Sequence, residues 1–208
     1  MDLLSEFGCT NTAPVFTPLD LTVKLFPDQG ELFPHPGNYR RLIGKLNFLT
    51  NTRPDLSFCV QHLSPFMSTP RVPHWEAGLH VLRYLSHHSS QGLLFTKDTS
   101  FQLEAFCDAD WAACPNTRKS VSGFVVLLGG SLLSWKSKKQ HTVSLSSAET
   151  EYRSLRRLTS ELTWLSRLLH ELDVPNITPI SVKCDNQAAI YIARNPIYHE
   201  RKADLLSH

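Results

Sequence analysis

Three acidic residues stand where strand and helix ends are expected to meet: Asp108 closes the first expected strand, Glu149 opens the longest expected helix, and Asp185 closes a fourth strand. In sheets with helical crossovers, strand ends and helix N-termini gather on one edge, where ligand sites form. Three carboxylates brought to one edge repel one another unless a cation joins them. Magnesium suits such hard oxygen donors, with manganese as a substitute, and two ions would activate a water and stabilise the leaving oxygen when a phosphodiester is cut.

Each acid also has an architectural reading. Glu149 lies three residues after Ser146 in a capping-box arrangement, Asp185 could cap the helix it precedes, and Asp108 could be a turn aspartate. Asp110 competes with Asp108, and Glu151 with Glu149. On the expectation that strand alternation and helix geometry set each competitor on another face or further from the edge, Asp108 and Glu149 are preferred. Other chemistries are weaker, because the ten histidines show no HExxH or zinc-type spacing and there is neither a GxSxG nor a glycine-rich phosphate loop.

The elements that must hold these acids follow from periodicity. The first ~35 residues, with Pro14, Pro18, Pro27, Gly30, Pro34, Pro36 and Gly37, lack sustained periodicity and read as an irregular arm laid on something else. Leu42, Ile43, Leu46 and Leu49 then repeat at helical spacing, Pro54 starts a second helix bearing Leu56, Cys59, Val60 and Leu63, and Trp75, Leu79, Leu82 and Leu85 mark a third. After Gly92 the period becomes that of strands: Phe101, Leu103 and Ala105 alternate, and Gly123–Leu128 runs into the Gly129-Gly130 turn. Ser131–Trp135 returns as the hairpin partner, extended or followed by Thr142–Leu145. A long helix over about 147–172, a strand at Ile180, Val182 and Cys184, and a short helix beginning near Asp185-Asn186 complete an α+β sheet whose fourth strand is reached by a helical crossover.

Composition bounds the class. The chain has 208 residues, 41% of them apolar, enough for one domain or two small ones, and no apolar run reaches membrane-spanning length. Cys9, Cys59, Cys107, Cys114 and Cys184 are odd in number and lack a CxxC, which speaks against a disulfide framework and for a reducing interior, cytoplasmic or nuclear and not secreted. The net charge of +2 announces no nucleic-acid binding by itself, yet Arg118, Lys119, Lys136, Lys138 and Lys139 share a window, 118–139, that contains no Asp or Glu. Such a patch suits phosphates or is a solvated face.

Several runs carry a resemblance: Tyr39–Leu46, Thr52–Asp55, His80–Leu85, Cys107–Ala112, Ser134–Gln140, Ser146–Arg153 and Cys184–Ala189. In order and spacing the chain resembles the Pol polyprotein of copia-type LTR retrotransposons of plants, over the end of the reverse transcriptase, a connection and the ribonuclease H domain. The resemblance implies an irregular arm at 1–37, a helical connection region at 38–98, and at 99–208 a ribonuclease H-like domain with a mixed sheet and flanking helices. It implies metal-dependent hydrolysis of the RNA strand of RNA–DNA hybrids, with Asp108, Glu149 and Asp185 matching the metal-binding acids. Arg118, Lys119, Ser134, Lys136, Lys138, Lys139 and Gln140 would face the hybrid, and the rest of a reverse transcriptase is the implied protein partner.

Three departures qualify that reading. The polymerase palm with its paired aspartates is absent, so no DNA synthesis is expected. Arg156 and Arg157 stand where the family has small residues. After Tyr198-His199-Glu200-Arg201 the family continues into a further strand and helix, whereas here Lys202–His208 follows at once, an expected C-terminal truncation in which Asp204 stands in for a fourth acid. The alternatives are an inactive remnant that keeps the fold and weak nucleic-acid binding, or a protein-interaction scaffold built on 38–90.

Overall fold

Leucines and β-branched residues at helical spacing dictate the first half of the chain. The computed structural model describes residues 3–10, 12–97, 101–175 and 177–195, which leaves Asp204 outside the described residues. It divides into two units, Met1–Leu93 and Leu94–His208.

In the first unit, α1 (Leu3–Glu6), α2 (Pro36–Leu49), α3 (Ser57–Leu63) and α4 (Val72–His87) surround one core. The expected stripes face inward: Leu42, Ile43, Leu46, Leu56, Cys59, Val60, Leu63 and Leu82 are buried, and the Tyr39 hydroxyl donates to the Leu63 carbonyl at 2.9 Å. The N-terminal segment is more than an overlay, because it contributes Cys9, Leu19 and Leu25 to the same core. At about 1.5–3 kcal/mol for each large apolar side chain buried, that contribution is structural. Arg71 fastens the segment, donating from Nε to the Pro27 carbonyl at 2.7 Å and from Nη1 to the Gly30 carbonyl. Gly30 sits at φ 85° with Pro73 so close that a Cβ would come within 2.7 Å of the ring, so only glycine fits.

The second unit is an α+β, ribonuclease H-like layer structure. Strands β1 (Leu103–Asp110), β2 (Val121–Leu128) and β3 (Ser131–Lys139) form an antiparallel meander, and β4 (Ser181–Lys183) pairs parallel to β1, giving the order β3-β2-β1-β4. Gly129 and Gly130, at φ 53° and 74°, make the tight β2–β3 turn. Helix α5 (Ser147–Glu171) is the crossover to β4 and lays Leu158, Leu162, Leu165 and Leu169 on Leu103, Ala105, Cys107, Phe124 and Val126. A short α6 (Gln187–Arg194) follows β4.

Two expectations are corrected in this unit. Of the two alternatives for Thr142–Leu145, extension of the hairpin fails and the segment follows it: β3 ends at Lys139, Gln140 is buried, and Leu145 is 90% exposed. Leu172 does not join the apolar stripe either, since α5 ends at Glu171 and Leu172 is 64% exposed. Among the described residues, no helix is long and apolar enough to cross a membrane.

Candidate metal centre

The site is built where β4 stops. The parallel register pairs Phe106 with Lys183, so one residue further on each strand are Cys107 and Cys184, and two residues further are Asp108 and Asp185. Because β4 ends at Lys183, the Ala109 amide has no strand partner there, and a carboxylate from α5 accepts its proton instead: Glu151 Oε1 lies 3.1 Å from it. Ser154, one turn along α5, donates to the Asp108 carbonyl at 2.9 Å, which fixes the helix against the strand.

The acid that α5 delivers is therefore Glu151, and the expectation for Glu149 is corrected. Glu149 works as a cap: its amide donates to the Ser146 hydroxyl oxygen at 3.1 Å, its carboxylate accepts from the Leu145 amide at 2.8 Å, and Arg153 pairs with it at 2.7 Å. The physical reason is helical phase. Two residues on a helix are about 200° apart, and Glu151 continues the buried stripe of Leu158, Leu162 and Leu165 backwards by one heptad, whereas Glu149 does not. That stripe was the signal in the sequence that identifies Glu151.

Asp185 is spared from capping as well. Asn186 accepts the Ala189 amide at 2.9 Å and caps α6, leaving the Asp185 carboxylate exposed at the edge. Asp108 is also exposed, and Asp110, two residues on, shares its face rather than the opposite one, because strand side chains alternate with period two. Burial, and then the nearby Asp108 charge, raise the Asp110 carboxyl above its ordinary value.

Donor atoms of Glu151, Cys184 and Asp185 lie within 4.8 Å of one another, with Cys184 Sγ 4.0 Å from Glu151 Oε2. Glu151 is 6% exposed. Burial pushes its carboxyl up to about 7; the Ala109 amide opposes this, and the Asp108 and Asp185 charges add to it. Among the described residues no lysine or arginine forms an ion pair with Asp108, Glu151 or Asp185. The adjacent Cys107 thiol is pushed up to about 12, first by burial and then by its neighbour Cys184.

The residues expected to face a hybrid divide into two groups. Arg118, Lys136 and Lys138 are exposed, Lys119 is half-buried, and none of the four is in an ion pair among the described residues. Lys139 instead donates to Cys114 Sγ at 3.0 Å. Hydrogen bonding to Thr117 and Lys139, working against burial, brings the Cys114 thiol down to about 7. Ser134 and Gln140 are corrected to internal roles. Ser134 donates to Glu161 at 2.7 Å beneath α5, while Gln140, 3% exposed, donates to Ser122 and the Thr150 carbonyl and accepts from Ser144.

No family model matches the chain, and no solved structure matches it. Among curated proteins it is 41% identical, over 97% of its own length, to the retrovirus-related Pol polyprotein from transposon RE2 of Arabidopsis thaliana. It is 35% identical, over 96% of its length, to that from transposon TNT 1-94 of Nicotiana tabacum. It spans 14% of the length of the first of these and 15% of the second. It also covers 68% of an uncharacterized mitochondrial protein of Arabidopsis thaliana at 39% identity. With identities of 35–41% to two Pol polyproteins over nearly all of its residues, the chain belongs to the retrovirus-related Pol polyproteins of copia-type plant transposons and corresponds to a segment of them.

Proposed function

We propose that the second unit hydrolyses the RNA strand of RNA–DNA hybrids with the help of divalent metal. The observation that carries this reading is the convergence of Glu151 and Asp185 beside Asp108, from three separate elements, with no lysine or arginine paired to them among the described residues. Hard carboxylate oxygens held this way fit magnesium, and manganese as its substitute. Asp108, Glu151 and Asp185 would hold the ions. Bound there, they would supply water activation and charge neutralisation for an in-line displacement at phosphorus.

The chain's own residues supply the rest. The Ala109 amide and Ser154 keep α5 in register with β1, so the Glu151 carboxylate stays at the edge. Arg118, Lys119, Lys136 and Lys138 offer phosphate contacts, which give salt-dependent, largely sequence-independent binding, and the 2′-hydroxyls distinguish the strand to be cut. The remainder of a reverse transcriptase is the protein partner this reading expects.

The test is cleavage of a labelled RNA–DNA hybrid by the purified chain across a magnesium and manganese series, with Asp108→Asn as control. Metal-dependent cutting of the RNA strand, lost in the control, supports the reading. Equal cutting by the control, or none at any metal concentration, overturns it in favour of a non-catalytic segment that retains the fold.

A further inference from the structure

The metal-binding edge carries a soft donor among its hard ones. Cys184 precedes Asp185 at the end of β4, and its Sγ, with the Glu151 and Asp185 carboxylates, completes a set of three donors lying within 4.8 Å of one another. The thiol already contacts Glu151 Oε2, is half-buried, and is free of any disulfide. A second thiol, Cys107, stands beside it on β1, one residue beyond the paired Phe106 and Lys183. Around a tetrahedral zinc ion, thiolate and carboxylate donors at about 2.0–2.3 Å end about 3.5 Å apart. The three donors here need close by little more than an ångström, and two of them are consecutive residues just beyond the end of β4.

We propose that Glu151, Cys184 and Asp185 form a binding site for a thiophilic divalent cation, zinc being the biological one, which takes the edge in preference to magnesium. The donor types decide the preference. Magnesium wants near-octahedral oxygen and gains nothing from sulfur, whereas zinc and cadmium bind thiolate strongly and accept four-coordination with one position left to solvent. Zinc seated here shares Glu151 and Asp185 with the magnesium site, so the two ions exclude each other, and bound zinc displaces the magnesium on which the proposed hydrolysis depends. That last consequence rests on the function proposed above; the binding itself does not.

The experiment is a cadmium titration of the whole purified chain, kept reduced with a phosphine, read by the ultraviolet thiolate-to-cadmium charge-transfer band. The band should saturate at one equivalent, vanish when zinc is added in equal amount, and survive a large molar excess of magnesium. Cys184→Ser should lack the band, Cys107→Ser should keep it, and Glu151→Gln should weaken cadmium binding about tenfold. As a measurement independent of any variant's folding, alkylation of Cys184 in the unaltered chain, mapped by mass spectrometry, should be slowed by stoichiometric zinc and not by magnesium. Absence of the band, its persistence in Cys184→Ser, or labelling indifferent to zinc overturns the proposal. Hybrid cleavage is scored separately: a cadmium band without cleavage sinks the nuclease reading alone, and cleavage without a band sinks this one alone.

Discussion

Each unit of this chain holds a carboxylate in a distinctive setting, and the two are treated in opposite ways: Asp55 stands at the surface beside a buried arginine, whereas Glu151 is itself buried among acids. In the helical unit, Asp55 is answered: Arg53, 6% exposed, grips it through two nitrogens at 3.0 and 2.7 Å, Tyr84 donates to it at 2.9 Å, and Arg53 also reaches the His88 carbonyl at 2.8 Å. Burial works to raise the Asp55 carboxyl, but Arg53 and Tyr84 outweigh it and hold it below its ordinary value. In the sheet unit, Glu151 has one backbone amide and two acidic neighbours, and its carboxyl is raised. A carboxylate with matched partners belongs to the architecture, whereas a buried one left among its own kind is a functional-site candidate.

Substitutions at the two carboxylate sites separate these cases. The largest expected effect is catalytic: Glu151→Gln should slow hybrid cleavage in single-turnover assays on the order of a thousandfold. Glu149→Gln, which touches only the α5 cap, should leave cleavage largely intact and cost about 1 kcal/mol of stability. Next comes Arg53→Ala, which removes a buried guanidinium with its hydrogen bonds to Asp55 and the His88 carbonyl and should cost about 2 kcal/mol in urea unfolding, while Asp55→Asn, at the surface, should cost less.

Glu151→Gln should have the opposite sign in stability. Because the folded carboxyl is raised from 4.5 to about 7, its favourable contribution is complete below 4.5 and is lost as pH rises through 7. The amide never ionises, so thermal unfolding of Glu151→Gln at pH 8 should exceed the parent by about 3 °C, with no gain at pH 4. An answered charge behaves otherwise, and no such gain is expected for Asp55→Asn.

The smallest effect concerns His74, fully buried, whose Nδ1 accepts the Arg71 amide and whose Nε2 donates to the Phe26 carbonyl. Burial lowers its protonation below the usual histidine range. The unfolded chain therefore takes up the proton first, and stability present above about 6.5 should decline as pH falls below it. His74→Gln should flatten the urea midpoint between pH 5 and pH 7, at some overall cost.

Much of the architecture was legible because it rests on periodicity. The α2, α3 and α4 stripes, the Gly129-Gly130 hairpin and the long α5 all leave local marks in the chain. Of the three acids expected at one edge, the structure places Asp108 and Asp185 there and sets Glu151, not Glu149, beside them. Glu149 stands beside Ser146 and shows a strong local motif, and that motif is what consumes it, whereas Glu151 is visible only through its phase with Leu158, a heptad away. Ser134 and Gln140 failed for a related reason: a polar residue in a basic run looks solvent-facing until a helix such as α5 is laid across it. Cys184 was invisible as a donor, because its proximity to Glu151 is made by the crossover and not by spacing.

The hydrogen bond from the Ala109 amide to Glu151 also makes the side chain at 151 a gauge of length. One oxygen is tethered to the strand and the other is offered to Cys184 and Asp185, so the distance from α5 to the edge is spanned by a fixed number of methylenes. Aspartate, with the same charge and one methylene fewer, cannot span both attachments. At this position stature matters as much as charge, and a substitution conservative in electrostatics is disruptive in reach.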